Sequence, residues 1–250
     1  MLIKRFVFGS IGTNCYLVAC EETRDAVIID PDIRTKKEKE NIVNEIDRHK
    51  MCMKYIINTH HHSDHTGGNR ILKETYGAQV LIHELDAPVL REPWKWWQQT
   101  VQADPKHPCP VCGHQENYLK VFEEQEKAVL GCDACDFKFE ILSSPPADRL
   151  LHNGDMIEVG KIELKVIHTP GHSAGGISLY IKKENVIFTG DTLFSGSVGR
   201  TDNFDASYED MMKSVKALTK LPDDTVVYPG HGEKTTIGSE KRENPYLQVD

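Results

Sequence analysis

The sequence predicts an α+β fold with two β-sheets, helices outside them, and a small unit inserted between the two halves of the chain. Two observations carry this prediction. Short apolar segments typical of strands occur in two groups along the 250 residues, and segments with helical spacing follow the strands of each group. Between the groups, residues 91–146 differ in character, with three tryptophans, several prolines and four paired cysteines.

The first group is predicted to hold five strands and three helices. Short apolar or alternating segments bounded by Gly, Asn and Asp are typical of strands. A charged segment with apolar residues at helical spacing is typical of an exposed helix. The predicted strands span residues 2–8, 14–19, 26–29, 55–57 and 79–82, and the predicted helices span residues 35–50, 66–76 and 84–90.

The second group begins at Asp148 and is predicted to hold four strands and a helix. The strands are predicted at residues 162–167, 177–181, 186–188 and 225–228, and the helix at residues 208–219. Ser207 is the expected N-cap of that helix. We therefore assign residues 1–90 and 147–250 to one domain and residues 91–146 to an inserted subdomain, called the insertion below.

The composition argues against several classes of protein. Lys and Arg number 30 against 38 Asp and Glu, a net charge of −8 that argues against a nucleic-acid binder. No apolar segment approaches the ~20 residues that span a bilayer, and the N-terminus does not resemble a signal peptide. Four of the seven cysteines form two C-x-x-C pairs, which indicates metal-binding thiolates in a reducing compartment. We therefore expect a cytoplasmic protein with no membrane contact.

The strongest chemical signal is a histidine-rich segment, Thr59-His60-His61-His62-Ser63-Asp64-His65, which follows a predicted strand. In an extended loop, His60 and His62 point the same way and can bind one metal ion. Asp64 and His65 come next and can face a second site. Imidazole nitrogens and carboxylate oxygens are the usual ligands of catalytic zinc.

Three further candidate ligands, His172, Asp191 and His231, lie in loops that directly follow predicted strands. A glycine precedes each of them, so the backbone can turn sharply and present the side chain. If the strands share one edge of the sheets, these residues converge on the histidine-rich segment. Together they predict a metal centre.

This order of residues resembles the metallo-β-lactamase superfamily. The resemblance covers about 200 residues and rests on His60-x-His62-x-Asp64-His65 followed by His172, Asp191 and His231. Three other segments are similar to those of compact glyoxalase II-like hydrolases, which are related to hydroxyacylglutathione hydrolase. They are Thr13-Asn14-Cys15-Tyr16-Leu17, Gly199-Arg200-Thr201-Asp202 and Thr235-Thr236-Ile237-Gly238-Ser239-Glu240.

The resemblance implies an αββα sandwich with two zinc ions at one edge of the sheets, iron being the alternative metal. It assigns His60, His62 and His172 to the first ion and Asp64, His65 and His231 to the second, with Asp191 bridging. It implies hydrolysis of a thioester or a related small acyl substrate by a hydroxide shared between the ions. Asp64 and Asp191 are then the catalytic carboxylates. Arg200, Lys241 and Arg242 are candidates for binding a substrate carboxylate.

The insertion carries a second metal signature, Cys109-x-x-Cys112 and Cys132-x-x-Cys135, which resembles a zinc ribbon. Strands are predicted at residues 119–122, 127–130 and 137–142. A site of four cysteines holds zinc or iron, and we favour one zinc ion because nothing else in the chain suggests a redox centre. Trp94, Trp96 and Trp97 either mark a contact surface, at the mouth of the active site or between subunits of a homo-oligomer, or pack the insertion onto the main domain.

Three other functions compete with thioester hydrolysis. A mononuclear iron oxidoreductase of the persulfide dioxygenase kind shares the same histidine motif and a Gly-Arg-Thr-Asp segment. A nucleic-acid enzyme is less favoured because of the acidic balance. A lactonase or β-lactamase differs from the main hypothesis only in the carbonyl that is cleaved.

Overall fold

Two six-stranded sheets form the centre of the protein, in a computed structural model that describes residues 1–103, 109, 111–114 and 117–248. The spatial order of the first sheet is β1 (Leu2–Phe8), β2 (Thr13–Ala19), β3 (Asp25–Ile29), β4 (Cys52–Ile57), β5 (Gln79–His83) and β9 (Arg149–Leu151). The neighbours β1 to β3 are antiparallel, whereas β3, β4, β5 and β9 run parallel.

The order of the second sheet is β10 (Met156–Val159), β11 (Ile162–His168), β12 (Ile177–Ile181), β13 (Val186–Gly190), β16 (Val226–Pro229) and β17 (Thr235–Thr236). This sheet is antiparallel except where β13 and β16 pair in parallel. A small hairpin of β14 (Leu193–Phe194) and β15 (Ser197–Val198) lies beside it.

Helices cover the outer faces of both sheets. The described helices are α1 (Lys36–His49), α2 (Ser63–Thr66), α3 (Asn69–Tyr76), α4 (Pro93–Ala103), α5 (Tyr208–Leu218) and α6 (Ile237–Glu243), with short 3-10 helices at Ala87–Val89, Glu123–Gln125, Lys182–Glu184 and Pro245–Leu247. None of the described helices combines the length and apolar character needed to cross a membrane.

Strand β2 illustrates how the layers form. Its side chains alternate, so that Tyr16 and Val18 pack between the two sheets while Leu17 packs outward against Ile42 and Ile46 of α1. All five residues are at most 2% exposed. Each such aliphatic side chain contributes about 1.5–3 kcal/mol on burial. The two sheets therefore form an αββα sandwich, which confirms the predicted fold class.

The insertion has a sheet and an apolar core of its own. The antiparallel strands β6 (Asn117–Phe122), β7 (Lys127–Cys132) and β8 (Lys138–Leu142) form the sheet. Ala128, Leu130 and Ile141 pack beneath Trp94 of α4. The predicted hairpin and third strand are confirmed.

Arg34 attaches this sheet to the main domain. Its guanidinium lies 4.9 Å from the ring centroid of Phe139 and donates to the carbonyl oxygens of Glu140 and Ser63. It also pairs with the buried carboxylate of Asp32. One side chain thus connects the insertion to the loop that carries the histidine-rich segment.

The structure differs from the sequence prediction in a few elements. The predicted helix at residues 66–76 is two helices, α2 and α3, because the chain turns at Gly67 and Gly68, where the Gly68 amide donates to the Pro31 carbonyl at 2.7 Å. The predicted helix at residues 84–90 is only a 3-10 turn. The sequence does not predict helices α4 and α6 or the short strands β9, β10, β14, β15 and β17. Ser207 caps α5 as expected, its Oγ accepting from the Asp210 amide at 3.2 Å.

Candidate metal centre

Four strands end at the same edge of the sandwich and deliver the seven predicted catalytic-site ligands to one place. The histidine-rich segment follows β4, and His172, Asp191 and His231 follow β11, β13 and β16. Two glycines allow the loops that carry these residues to approach one another closely. Gly190 has a φ of +49° and lies against Thr59, and a Cβ on Gly230 would collide with Asp191.

Three imidazoles converge to form the first donor set. Nδ1 of His62 lies 3.0 Å from Nε2 of His60 and 2.9 Å from Nε2 of His172. His60 and His172 are buried, and Nε2 of the half-buried His62 is a buried atom with no hydrogen-bond partner among the described residues. Nitrogens bound at about 2.05 Å around a tetrahedral ion lie about 3.3 Å apart, so these rings are spaced to share one ion.

Hydrogen bonds behind two of these rings determine which nitrogen faces the cluster. Thr59 Oγ1 donates to Asp30 Oδ2 at 2.7 Å and therefore accepts from His60 Nδ1 at 3.1 Å. His172 Nδ1 donates to the Arg200 carbonyl oxygen at 2.8 Å. Because a neutral imidazole has one N–H, the Nε2 atoms of His60 and His172 present lone pairs to the cluster.

The protonation state of the first donor set also suits a metal ion. Burial, together with repulsion from the neighbouring imidazoles, holds the pKa values of His60 and His62 well below their usual value. Both rings are therefore neutral near pH 7, which is the form that binds metals.

The second donor set consists of Asp64, His65 and His231. His65 Nε2 lies 3.2 Å from Asp64 Oδ2 and 3.4 Å from His231 Nε2, and His231 Nε2 lies 3.3 Å from the same carboxylate oxygen. Burial lowers the pKa of His65, but the surrounding carboxylates, first Asp64 and then Asp191, outweigh burial and hold that pKa well above its usual value. This part of the site favours positive charge, which a divalent ion supplies.

Asp191 lies between the two sets and reaches both. Its Oδ2 is 3.4 Å from His172 Nε2 and 3.6 Å from His231 Nε2, and its Oδ1 is 3.5 Å from His65 Nε2. Oδ1 is buried without a hydrogen-bond partner in the described part of the chain. A carboxylate with an orphaned oxygen between two donor sets has the chemistry of a bridging ligand.

The Thr13–Ala19 strand supports the second donor set from behind. Asn14 Nδ2 donates to the carbonyl oxygens of Pro229 and Gly232 at 2.9 Å, and the Tyr16 hydroxyl donates to Pro229 O at 2.7 Å. These bonds hold both sides of the loop that carries His231. Thr13 Oγ1 donates to Asp64 Oδ2 at 3.1 Å. Strand β2, which contains one of the segments on which the family resemblance rests, thus positions Asp64 and the loop of His231.

Two buried carboxylates behind the ligands escaped the sequence analysis. Asp30 accepts from the Thr59 amide and lies 3.0 Å from His65 Nδ1. Asp86 accepts from the amides of His61 and Gly175, and so joins two ligand loops. Asp30 directly follows a buried strand, as the predicted ligands do, and that signal could have identified it.

His61 points away from the metal ligands and contacts a third carboxylate that was not predicted. Its Nε2 lies 3.2 Å from Asp205 Oδ2, and its ring packs against Trp96 at 5.0 Å between centroids. Trp96 in turn donates from Nε1 to Asp205 Oδ1 at 2.9 Å, and its ring lies 4.7 Å from that of His62. A side chain of α4 in the insertion therefore packs directly on a metal-ligand candidate.

The four cysteines of the insertion also converge. The Sγ atoms of Cys109 and Cys135 are 3.7 Å apart, as are those of Cys112 and Cys132, and all four lie within 4.8 Å of one another. Four sulfurs bound at about 2.3 Å around a tetrahedral ion are about 3.8 Å apart. The spacing fits one ion, and it suits zinc and iron equally.

The candidate substrate-binding cations differ in position. Arg200 lines a cavity of about 430 Å³ that opens above the metal ligands, and its Nε lies 3.0 Å from Asp202 Oδ1. Lys241 pairs with Asp223 at 2.6 Å on α6. Neither Lys241 nor Arg242 is among the described residues that line the cavity.

A family model and two curated relatives match nearly the whole length of this chain. The model of the metallo-beta-lactamase superfamily matches residues 9–231. An uncharacterized protein of Mycobacterium leprae is 33% identical over 99% of both chains. The hydroxyacylglutathione hydrolase GloC of Haemophilus influenzae is 30% identical over 94% of this chain and 92% of its own.

Two solved structures are similar in fold and at 29% sequence identity. The BLEG-1 B3 metallo-beta-lactamase superimposes with a TM-score of 0.76 over 99% of this chain and 100% of its own. TTHA1623, solved in a di-iron-bound form, superimposes with a TM-score of 0.72 over 98% of this chain and 100% of its own.

Proposed function

Since this chain belongs to the metallo-β-lactamase superfamily, we propose that it is a two-metal hydrolase that cleaves a thioester or a related acyl bond. The superfamily assignment supports a metal-dependent hydrolase. The narrower proposal, a hydroxyacylglutathione hydrolase-like enzyme, draws on the relative that carries that name at 30% identity.

The observation that carries the proposal is the pair of donor sets joined by Asp191. His60, His62 and His172 form one set, and Asp64, His65 and His231 form the other. A mononuclear iron oxygenase of the persulfide dioxygenase kind shares the histidine motif but needs only one donor set for its ion. A hydrolase with two ions uses both.

The residues of the chain have distinct roles in this proposal. Two bound ions would lower the pKa of a water molecule for attack on a carbonyl carbon and stabilise the negative charge that develops on the carbonyl oxygen. Asp64 lines the cavity with its Oδ2 held by Thr13, so its carboxylate can orient the attacking water and accept its proton. Arg200 lines the same cavity, which supports the proposal that it binds a substrate carboxylate.

We propose zinc for both catalytic positions and for the four-cysteine site. Imidazole and carboxylate ligands also suit iron, and the structure of TTHA1623 is a di-iron-bound form. The first experiment is therefore a count of zinc and iron per chain, on protein produced without added metal. Three ions per chain are expected, two at the sandwich edge and one in the insertion.

The second experiment measures thiol release from S-lactoylglutathione and from other acyl thioesters. Asp191→Asn is expected to lower kcat/KM about 100-fold, which corresponds to about 2.7 kcal/mol of activation free energy. Asp224→Asn, a change at an exposed carboxylate, serves as the matched control and should leave kcat/KM unchanged.

One result would overturn the hydrolase proposal. A single catalytic iron, oxygen uptake with a persulfide, and no cleavage of any thioester would favour the dioxygenase alternative. Cleavage with iron in place of zinc would retain the reaction and correct only the metal.

A further inference from the structure

The cavity above the metal ligands has one wall that does not come from the sandwich. Five apolar side chains of the insertion line it: Trp96, Trp97, Leu130, Phe137 and Phe139. The volume of about 430 Å³ falls in the range of ~300–1,000 Å³ that is typical of small-molecule sites. The insertion therefore contributes to the space that a substrate would occupy.

This wall is held in place by its own contacts. Leu130 and Phe139 belong to the core of the insertion and are 5% and 7% exposed. Trp96 is held by its hydrogen bond to Asp205. Phe137 lies two residues beyond Cys135, and its carbonyl accepts from the Cys132 amide at 3.2 Å. The four-cysteine site thus borders the wall.

The opposite wall is mixed, with Ser197 and Asn203 among its polar residues. Ile11, Phe194 and Val198 of the main domain line it, and Ile11 is 43% exposed. Among the described lining residues, Arg200 is the sole Lys or Arg. The cavity consequently offers one cationic contact, two neutral polar side chains and the apolar wall of the insertion beside the metal-ligand candidates.

Charged ligands fit these walls poorly. A glutathione moiety carries two carboxylates and an ammonium group, and burying unpaired charges against aromatic side chains is costly. An apolar group instead gains free energy from the same contact, because its surface is removed from water. The ring of Trp96 lies 4.7 Å from that of His62, so the wall begins beside the first donor set.

We infer that the substrate carries an aromatic or branched aliphatic group within a few bonds of the scissile carbonyl, and that this group packs against Trp97 and Phe137 of the insertion. At most one carboxylate, at Arg200, accompanies it. This inference rests on the proposed acyl hydrolysis and narrows its substrate class to apolar acyl esters and thioesters, in place of glutathione thioesters.

Two matched pairs of substrates test the inference. Phenylacetyl and acetyl thioesters of one thiol vary the acyl group, and benzyl and methyl thioesters of one acid vary the leaving group. The aromatic member of at least one pair is expected to have a kcat/KM about tenfold higher or more. Equal kcat/KM values within both pairs would overturn the inference.

Variants at Phe137 test whether the preference for aromatic substrates depends on the wall that the insertion forms. Phe137→Ala should lower kcat/KM about tenfold more for the aromatic member than for the small member, whereas Phe137→Leu should retain most of the preference. Phe122→Ala is the matched control, since Phe122 lies in the same sheet, is 40% exposed and does not line the cavity. A loss of equal size on both substrates would contradict the assignment.

A binding measurement separates this inference from the hydrolase proposal. Calorimetry with phenylacetate and acetate reports the affinity of the metal-loaded protein without any turnover. Tighter binding of phenylacetate that is lost in Phe137→Ala, together with no cleavage of any thioester, would retain the apolar pocket and reject the hydrolase. Cleavage of thioesters without any aromatic preference in rate or binding would retain the hydrolase and reject the pocket.

Discussion

At the candidate metal centre, hydrogen bonds behind His60 and His172 determine which ring nitrogen faces the cluster. Asp30 is 2% exposed and contacts one ligand candidate directly and the residue that supports another. It accepts from Thr59 Oγ1, which in turn orients His60, and it lies 3.0 Å from Nδ1 of His65. A single carboxylate therefore reaches both donor sets without being a ligand itself. Partners of this kind orient metal-binding imidazoles and increase their basicity.

The first prediction concerns Asp30→Asn. The new amide fits the backbone, because Asp30 has a φ of +52° and asparagine adopts the left-handed region readily. It has one acceptor oxygen where the carboxylate has two, so the contact with His65 is weakened. Metal affinity at the second donor set is expected to fall about 10–100-fold, as measured by competition with a chelator.

The matched control for this prediction is Asp25→Asn. Asp25 begins the strand that Asp30 follows, and it pairs with Lys54 at 3.2 Å, away from the ligands. Equal chelator competition curves for wild type and Asp30→Asn would show that Asp30 does not support the ligands.

At the scale of elements, a carboxylate links helix α3 to the start of β5. Asp148 accepts from the Val80 amide at 2.8 Å and from the ammonium group of Lys73. Burial alone raises the pKa of Asp148, but the hydrogen bonds from Lys73 and Val80 outweigh it and lower that pKa below its usual value. A carboxyl group with a lowered folded-state pKa stabilises the protein above the unfolded pKa, and the stabilisation is lost as the pH falls through the folded value.

The second prediction follows for Asp148→Asn. The side chain is about a third exposed, so solvent screening limits the loss to about 1 kcal/mol of unfolding free energy near pH 7. The difference from wild type should shrink as the pH falls below about 4, where the carboxylate becomes protonated. Urea unfolding of both proteins from about pH 7 down to about pH 3.5 measures this, with Asp224→Asn as the surface control. A difference that does not change with pH would mean that packing, and not charge, is responsible.

Element boundaries show where sequence reasoning works and where it fails. Long segments with a clear period, such as β11 and α1, were predicted within one or two residues. Strands β9 and β10 have only three and four residues, too few for a period to be recognised. Helix α4 begins at a proline and contains three tryptophans, so its sequence resembles an irregular segment. Its helical form places Trp94 in the core of the insertion and Trp96 against His62.

At the scale of the whole molecule, the insertion and the sandwich share the cavity at the metal centre. Arg34 and Trp96 attach the insertion to the ligand loop on either side. Whether the four-cysteine site matters for turnover therefore depends on how firmly it holds the wall.

The third prediction tests that dependence with the double variant Cys109→Ser and Cys132→Ser. Removing two of four thiolates should eliminate the ion of the insertion, so the metal content should fall from three ions to two. The catalytic ligands are untouched, but the wall should loosen, and KM for aromatic substrates should rise about tenfold with a smaller change for the acetyl thioester. Metal analysis and steady-state kinetics provide the measurement.

Cys52→Ser is the matched control, because Cys52 is an exposed cysteine on β4 outside the cluster. If the double variant retained three ions, the four cysteines would not form a metal site. If it lost one ion with no change in any kinetic constant, that ion would not be needed to hold the wall of the pocket.

The sequence by itself determined the fold class, because the strand and helix periods and the two groups of strands are local patterns. It also determined the set of candidate metal ligands, since each follows a strand and has a donor atom suited to a divalent ion. The family resemblance added their division between two ions. The 2.9 Å distance from His172 Nε2 to His62 Nδ1 and the 3.3 Å distance from His231 Nε2 to Asp64 Oδ2 are consistent with that division.

Only the tertiary structure decided which residues support these ligands and what surrounds them. Asp30, Asp86 and Asp205 act across long stretches of chain, and no local pattern predicts a hydrogen bond between residues 144 positions apart, such as His61 and Asp205. The same holds for the cavity. Phe137 lines it because a separate sheet packs against the sandwich edge, whereas Lys241 does not, because α6 directs it to Asp223. Contacts between distant segments depend on how the layers pack, and that information is not contained in spacing along the chain.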